Sequence, residues 1–540
     1  MLERVVENWL DKATERSFQQ PFCYMLSAEG HTIIHSTRHP AMELGNDIIT
    51  IASDGTPCAY QLKTGNISLR KWRDEVGSQT DDLVCGQINH PSVDTSKYHR
   101  SYFVTNGRIE EEVSRAIDDR NRAWESQNQS YRRLETIVRG ELFEKAKRLG
   151  IDLWPSELTD VKTLLEMFLE SGQGVLPKEK LASLFESIFQ LDGEAELSEA
   201  YCKRVIASAG LLCAIAISNF SNENNHVAEI ETWMMYISYV FAFVEKRELS
   251  DNIYKGELEI ATQSLYNSLA NLCDEIKERE EFIEGDFLAD PYIYRVRITW
   301  LLGLVGIYAL WRRRDEVPKN EVDDFLREFC KEKRCQLELW GEAAIPQFLA
   351  FFWYFRKIDA TPEPDFRILY SLISSICKIN HPNTEVFLAN PYYEAEETLP
   401  HLLAPVLGSI EDPLEDVFTG KSYALEGLVH LFVRRNWKQA MKFLWADVTR
   451  LDFVSFEPAN FCEFYRWRSE EGTNKIVHPK HTQEWEELKA LSCKSEGDCI
   501  PPTIKSDPIL LLLFLCVYPH RMNAEIMRWL DTQMKEIPRP

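Results

Sequence analysis

Residues 43–65 read ELGNDIITIASDGTPCAYQLKTG, and this stretch has the pattern of two short strands joined by a tight turn. The first strand is predicted from Asp47 to Ile51, which is rich in β-branched residues. The second is predicted from Cys58 to Leu62, and the Ser-Asp-Gly of residues 53–55 is typical of a turn between strands. The stretch therefore predicts a β-hairpin.

Side-chain alternation along the hairpin places three polar residues near one another. Gln61 and Lys63 are two residues apart, so they project from the same face of the second strand. Tyr60 and Leu62 project from the opposite face into packed protein. Asp47 lies at the mouth of the first strand, where its carboxylate is expected to reach the Gln61 and Lys63 side chains. The hairpin thus predicts a cluster of a carboxylate, a carboxamide and an amine.

These residue types suit the hydrolysis of a phosphodiester bond. A hard cation such as Mg²⁺ prefers oxygen ligands, and Asp47, Gln61 and the main-chain carbonyl of Leu62 can supply them. A metal at this place would polarise the phosphate and acidify a bound water. Lys63 would orient or deprotonate that water and offset negative charge in the transition state. The sequence therefore predicts a metal-dependent site at Asp47, Gln61, Leu62 and Lys63.

The same residues carry a family resemblance. An Asp at a strand start, Gln-x-Lys after a short hairpin, and a later strand ending in Thr105-Asn-Gly resemble the PD-(D/E)XK restriction-endonuclease-like superfamily. The closest pattern is its Mrr-like variant, in which Gln replaces the second acid. The resemblance implies that Asp47 is the metal ligand, Gln61 the second ligand and Lys63 the catalytic lysine. It also implies a Mg²⁺-dependent endodeoxyribonuclease, with Mn²⁺ as a substitute for Mg²⁺.

The resemblance covers residues 1–150, where the expected elements occur in the expected order. They are an opening helix around 18–27, a strand at 32–36, the hairpin, a helix after Asn66, a strand at 101–105 and a helix after Arg108. The predicted fold class is therefore α+β, with an amino-terminal α/β restriction-endonuclease-like domain.

One residue departs from the family pattern. Many members carry a metal-assisting Glu on the opening helix in a Phe-Glu step, whereas this chain has Phe18-Gln19. Three interpretations are open: Gln19 replaces the Glu, Glu43 takes its place from four residues before Asp47, or the site is weakened. Glu43 is the favoured auxiliary acid. A weakened site would leave a nuclease fold that only binds nucleic acid.

Charge is unevenly distributed along the 540 residues, whose net charge is −24. Residues 1–150 contain 20 Lys and Arg against 22 Asp and Glu, a net of −2, so the totals of 61 and 85 leave −22 for the remainder. An acidic surface repels phosphate backbones, so nucleic acid is expected to bind to the first domain, to a local basic patch, or with the help of a partner. The predicted phosphate contacts are Arg70, Lys71 and Arg73, just after the hairpin. Later arginines from 115 to 139 alternate with acids and are expected to form a balanced, solvated face.

Beyond residue 150 the pattern is that of helices, with apolar residues three and four positions apart and prolines at the breaks. This predicts a large all-α region, an irregular bundle or solenoid, divided into helical domains at 151–360 and 361–540. Its acidity and size suggest sensing, assembly or the binding of a regulatory or activator protein. The family resemblance implies prokaryotic defence against foreign DNA, and it leaves a homodimer or higher oligomer open.

The thirteen cysteines lack Cys-x-x-Cys pairs, and the chain opens without a signal-peptide pattern. The longest apolar runs, 205–217 and 509–518, are shorter than the roughly 18–20 residues that span a bilayer. A soluble, cytoplasmic chain with free thiols is expected, without a membrane partner. Two other classes remain open: a non-catalytic nucleic-acid-binding protein, and a scaffold whose first domain binds protein. A ribonuclease is a variant of the leading hypothesis.

Overall fold

The chain has a mixed α+β fold, with a small amino-terminal sheet and a large, predominantly helical region after it. The computed structural model describes residues 2–35, 47–88, 90, 92–94, 96–151, 158–279, 291–315, 321–358, 362–381, 388–398 and 420–537. These residues divide into two compact units, 1–268 and 269–540. The predicted domain boundaries near 150 and 360 stay predictions.

The first unit contains a five-stranded sheet in the order β1-β2-β3-β4-β5. The strands are β1 (Thr32–His35), β2 (Ile48–Ile51), β3 (Pro57–Lys63), β4 (Arg100–Thr105) and β5 (Leu134–Ile137). The first three are antiparallel, and β3, β4 and β5 run parallel. The β2–β3 hairpin is confirmed, with Ile48 opposite Tyr60.

Helices cover both faces of this sheet and continue beyond it. In chain order they are α1 (Leu2–Lys12), α2 (Glu15–Ala28), α3 (Leu69–Lys71), α4 (Gly77–Cys85), α5 (Glu111–Ser126), α6 (Arg139–Ala146), α7 (Leu158–Leu169), α8 (Lys178–Phe189), α9 (Glu199–Ala216), α10 (Ser218–Asn222), α11 (His226–Arg247) and α12 (Asp251–Glu278). A π-helical turn, Trp72–Val76, joins α3 to α4.

The two faces of β3 contact different helices because successive side chains alternate. On one face Ala59 belongs to an apolar cluster with Phe103 of β4 and Val113 of α5. On the other face the Tyr60 ring packs edge-on against Phe22 of α2, with ring centroids 5.5 Å apart. All residues of β3 except Lys63 are buried, which makes the strand a rigid support for its carboxyl end.

Helix α2 is held between the sheet and the helices that follow. Its Tyr24 ring lies against Gly210 of α9, where an added Cβ would approach within 2.5 Å of the ring. Tyr24 also packs edge-on against Tyr236 of α11. Ser27 donates a hydrogen bond of 2.6 Å to the buried Glu257 carboxylate of α12. The second half of α2 is thereby packed against α9, α11 and α12.

The second unit is mostly helical, but the prediction that the region beyond 150 is all-α was wrong. Its helices are α13 (Pro291–Arg314), α14 (Glu321–Lys333), α15 (Ile345–Ile358), α16 (Pro362–Ile379), α17 (Leu425–Arg434), α18 (Lys438–Val448), α19 (Phe461–Tyr465), α20 (Trp485–Cys493), α21 (Pro502–Lys505), α22 (Pro508–Val517) and α23 (Ala524–Glu536). It also holds a three-stranded sheet of β6 (Lys421–Ser422), β7 (Asp452–Pro458) and β8 (Gly472–Val477). Because β8 is exposed along its whole length and β6 has two residues, neither shows the apolar alternation that marks a strand.

Among the described residues, two helices are long and apolar enough to cross a membrane. Buried residues make up 94% of the apolar window in His226–Arg247 and 67% of that in Ile293–Arg314. Both helices are thus mostly packed inside the protein.

A buried carboxylate ties three helices of the second unit together. Asp531 of α23 accepts hydrogen bonds from Trp353 of α15 at 3.0 Å and from Arg435, just after α17, at 2.7 Å. Burial alone would raise the pKa of Asp531, but the positive charges of Arg435, Lys535 and Arg434 outweigh it and lower the pKa to about 2.

Asp531→Asn should destabilise the second unit by about 3–5 kcal/mol at pH 7, because it leaves buried arginines without their counter-charge. Because its pKa is lowered, the Asp531 carboxylate stabilises the fold at pH values above 3.8, its ordinary pKa. This stabilisation is lost as the pH falls toward 2. Urea unfolding at several pH values measures the difference. Asp447→Asn, which removes an exposed partner of Arg450, is the control and should cost less than about 1 kcal/mol. Equal losses for the two variants would contradict this explanation.

The loops after β3 and β4 cross in backbone contact, and this crossing requires a glycine. A Cβ on Gly107 would lie 2.3 Å from the main chain of Gly65. Asn106 fixes the crossing: its side chain accepts from the Gly65 amide at 2.7 Å and donates to the Leu10 and Ala13 carbonyls. The loops are therefore rigid where they leave the sheet.

Gly107→Ala should destabilise the first unit by about 1–3 kcal/mol. The added methyl group would clash with the Gly65 main chain, which cannot move aside as a flexible side chain could. Gly140→Ala is the matched control, since an added Cβ there meets no atom within 4 Å. Thermal unfolding of the two variants measures the difference. A Gly107→Ala protein as stable as the control would show that the loops do not cross in this way.

Candidate functional site

The Asp47 carboxylate joins the two strands of the hairpin at its open end. Its Oδ2 accepts a hydrogen bond of 2.6 Å from the Leu62 amide and one of 2.9 Å from Gln61 Nε2. The Asp47 amide in turn donates to the Tyr60 carbonyl at 2.9 Å. The structure therefore brings Asp47 and Gln61 together, as the hairpin pattern predicted.

Gln61 is 3% exposed, and its amide oxygen is buried without a hydrogen-bond partner among the described residues. Burying an amide oxygen without a partner costs free energy, so an unpaired one at a candidate site points to a ligand. Rotating the amide by half a turn would exchange its oxygen and nitrogen and turn the oxygen toward Asp47.

The Leu62 carbonyl faces the same region. The amide and carbonyl of one strand residue point to the same side of the strand, and the Leu62 amide points to Asp47. With the Gln61 amide rotated in this way, its oxygen would join the Asp47 carboxylate and the Leu62 carbonyl where β2 begins, and such an all-oxygen set fits a hard cation such as Mg²⁺ or Mn²⁺. Among the residues that the structure describes, no group of three or more His, Cys, Asp or Glu forms a metal site.

Lys63 ends β3, and its side chain is 12% exposed. Its Nζ lies 3.7 Å from Oε2 of Glu15, a residue that the sequence analysis did not select. Glu15 is the first residue of α2, whose amino-terminal cap is Thr14. The position of Glu15 could have indicated this role, because it lies three residues before Phe18, where the predicted opening helix begins.

The three interpretations of the auxiliary acid have different outcomes. Gln19 is buried, and its Nε2 donates to the Asp47 main-chain carbonyl at 2.9 Å, so it positions Asp47 through the backbone. Glu43 lies outside the described residues, so its role stays a prediction. Glu15 supplies a carboxylate on the opening helix, next to Lys63.

Titratable groups behind the site are held neutral by burial. Burial lowers the pKa of His31, whose Nδ1 lies 2.9 Å from the Thr50 hydroxyl. Burial raises the pKa of Tyr102 to about 12, and Glu135 adds to the shift. Tyr102 stacks on Tyr60 with ring centroids 4.9 Å apart. This side of β3 therefore serves as packing.

The predicted phosphate contacts differ in their surroundings. Lys71 Nζ donates to the Thr64 carbonyl at 3.0 Å and so holds the residue after Lys63. Arg70 has a side chain 92% exposed, 3.5 Å from Asp74, and Arg73 is exposed. In the later arginine group several members form ion pairs, which agrees with a balanced face: Arg115 with Glu111, Arg120 with Asp81, Arg122 with Asp119 and Arg139 with Asp11.

An open groove of about 1230 Å³ begins at Thr64, the residue after Lys63. It runs over the loops that follow β3, β4 and β5, with α1 along one side. Ligands of open α/β sheets commonly bind outside the carboxyl ends of parallel strands, and this groove lies there. The groove therefore starts at the residue that follows Lys63 and extends over the loops at the carboxyl ends of the parallel strands.

Comparison with known proteins identified no relative of this chain: no family model, no curated protein and no solved structure matches it.

Gln61→Glu should make the protein depend on a divalent cation for stability, because two carboxylates would then face each other in a buried place. Thermal unfolding in EDTA and in Mg²⁺ or Mn²⁺ measures this: the variant should unfold earlier than the wild type in EDTA and gain more from the metal. Gln79→Glu, in α4, also adds an acid where an amide oxygen is buried, and it should gain nothing from the metal. No metal-dependent difference between the two variants would show that this oxygen set binds no cation.

Proposed function

We propose that the chain is a metal-dependent endodeoxyribonuclease of the restriction-endonuclease-like type, in its Mrr-like form. The observation that carries the proposal is that the Asp47 carboxylate is hydrogen-bonded to the buried Gln61 side chain and to the Leu62 amide, with Lys63 two residues after Gln61 on the same strand. The residue types and their spacing are those required for phosphodiester hydrolysis.

The sheet supports this assignment. An antiparallel hairpin carries the polar cluster, and two parallel strands follow it, each preceded by helix, in the order that the family pattern requires. The cluster lies at the end of β3 from which the groove extends. This order of elements and the place of the cluster on the hairpin support the proposal.

The side chains have separable tasks. Asp47, Gln61 and the Leu62 carbonyl would hold the cation, which when bound would activate water and neutralise charge on the phosphate. Lys63 would orient the attacking water and stabilise the negative charge that develops. Glu15, 3.7 Å from Lys63 Nζ, would help to fix the position of the amine, and Glu43 remains a candidate for the auxiliary acid.

A second candidate function is binding of nucleic acid without cleavage. The observation that favours it is that Asp47 Oδ2 already accepts two hydrogen bonds from the protein, while Gln19 replaces the Glu of the family pattern and binds backbone. A cation would have to compete with both donors at that oxygen.

The setting of the activity is also part of the proposal. A cytoplasmic nuclease that cuts DNA without control would damage its own cell. The acidic helical region, with a net charge of −22 beyond residue 150, is suited to binding a regulatory or activator protein rather than DNA. Defence against foreign DNA and assembly into a homodimer or higher oligomer follow from the family resemblance alone.

Cleavage of supercoiled plasmid by the full chain tests the proposal. With Mg²⁺ or Mn²⁺ the wild type should nick or linearise DNA, and EDTA should abolish cleavage. Asp47→Ala should be inactive, Lys63→Ala should be slower by at least about 100-fold, and Glu15→Gln should lie between it and the wild type. Lys97→Ala removes a lysine that contacts Gly55 in the hairpin turn, and it should cut like the wild type.

The outcomes separate the two candidates. Cleavage that survives Asp47→Ala would overturn the proposed site. No cleavage by folded wild type with any metal, together with DNA binding that survives Lys63→Ala, would favour the binding function. Cleavage of RNA but not DNA under the same conditions would support the proposed catalytic site and show that the substrate is RNA.

A further inference from the structure

The groove that begins after Lys63 is lined by residues of three loops, and three of these residues are glycines. Thr64 and Gly65 follow β3, Gly107 follows β4, and Val138 and Gly140 follow β5. The loops are bonded to one another: the Arg108 amide donates to Asn66 Oδ1 at 2.9 Å, and the Arg139 amide donates to the Gly107 carbonyl at 3.3 Å. The lining is therefore both rigid and open to close approach by a ligand.

The charged residues that line the groove are Arg108, Arg139 and Asp11. Arg139 Nε lies 2.9 Å from Asp11 Oδ1, so these two charges offset each other. Arg108 is exposed, and its side chain has no ion-pair or hydrogen-bond partner among the described residues. The groove thus has one uncompensated positive charge, in a chain whose net charge is −24.

The end of the groove at β5 adds main-chain donors. Helix α6 begins at Arg139, whose amide is bonded to the Gly107 carbonyl, and Val138 at its amino-terminal cap makes no side-chain hydrogen bond to the amides that follow. Amides at the start of a helix bind anions readily. Arg108 and Gly140, the second residue of α6, line the same groove.

The lining has no aromatic side chain among the described residues. Proteins that hold single strands by their bases stack them on aromatic rings, and this groove has none to offer. Contacts to phosphate and sugar fix the position of a nucleic acid but carry no sequence information. The chemistry of the lining matches the sugar–phosphate backbone.

We infer that this groove binds the phosphate backbone of the substrate strand next to the scissile bond, with Arg108 as its main cationic contact and without recognition of base sequence. The inference rests on the proposed nuclease function and deepens it by naming where the strand lies. It adds Arg108 to the earlier candidates Arg70, Lys71 and Arg73. It also predicts that binding affinity is independent of sequence.

Binding of labelled 20-base-pair duplexes of two unrelated sequences to the full chain, in EDTA to prevent cleavage, tests the inference. Fluorescence anisotropy at 50–200 mM KCl gives both the affinity and its salt dependence. One lost phosphate contact makes the slope of log affinity against log salt shallower by about 0.9, equivalent to about eightfold weaker binding at 0.1 M salt. Arg108→Ala should show this loss for both duplexes. Arg108→Lys keeps the charge and should bind nearly as the wild type does.

Arg122→Ala is the matched control, because Arg122 is an exposed arginine of the same unit that pairs with Asp119 and does not line the groove. It should change affinity less than twofold. Thermal unfolding of Arg108→Ala should match the wild type, since the Arg108 side chain makes no contact that folding needs. Wild-type affinity in Arg108→Ala, a clear preference for one duplex, or no duplex binding by the wild type would overturn the inference.

Different experiments test the proposed role of the groove and the proposed nuclease activity. Arg108-dependent binding without any cleavage would overturn the activity and keep the groove. Plasmid cleavage by a protein whose binding ignores Arg108 would keep the activity and overturn the groove.

Discussion

The Asp47 carboxylate is the interaction on which the site depends. It closes the open end of the hairpin by accepting from Leu62 and Gln61 of β3, while Gln19 of α2 holds the Asp47 carbonyl. One residue therefore links β2, β3 and the opening helix. The same oxygen atoms that make this junction are the ones that a hard cation would use, so local stability and metal binding are coupled at Asp47.

The position of α2 follows from packing on both of its sides, and it matters for Lys63. Phe22 packs against the sheet through Tyr60, and Tyr24 packs against Gly210 of the helical part of the first unit. Glu15, the first residue of α2, lies 3.7 Å from Lys63 Nζ. Helices α9 and α11 therefore pack against the same helix that places a carboxylate next to the Lys63 amine.

The sequence was sufficient for features that are local in the chain. The hairpin, the opening helix and the meeting of Asp47 with Gln61 follow from alternation and turn chemistry within about twenty residues. The pairing of Glu15 with Lys63 joins residues 48 positions apart, and the groove collects loops from residues 64 to 140, so neither could be derived from local pattern. The β6–β8 sheet was missed because its exposed edge strand has no apolar face.

The central claim is that the oxygen atoms of Asp47, Gln61 and Leu62 form one cation site. A crystal structure of the full chain grown with Mn²⁺ tests it most directly, because the anomalous scattering of manganese locates the ion. The account predicts Mn²⁺ bound to the Asp47 carboxylate and the Leu62 carbonyl, with the Gln61 amide turned so that its oxygen binds the ion. A protein crystallised at millimolar Mn²⁺ with no ion there, and with Gln61 Nε2 still bonded to Asp47, would contradict the account.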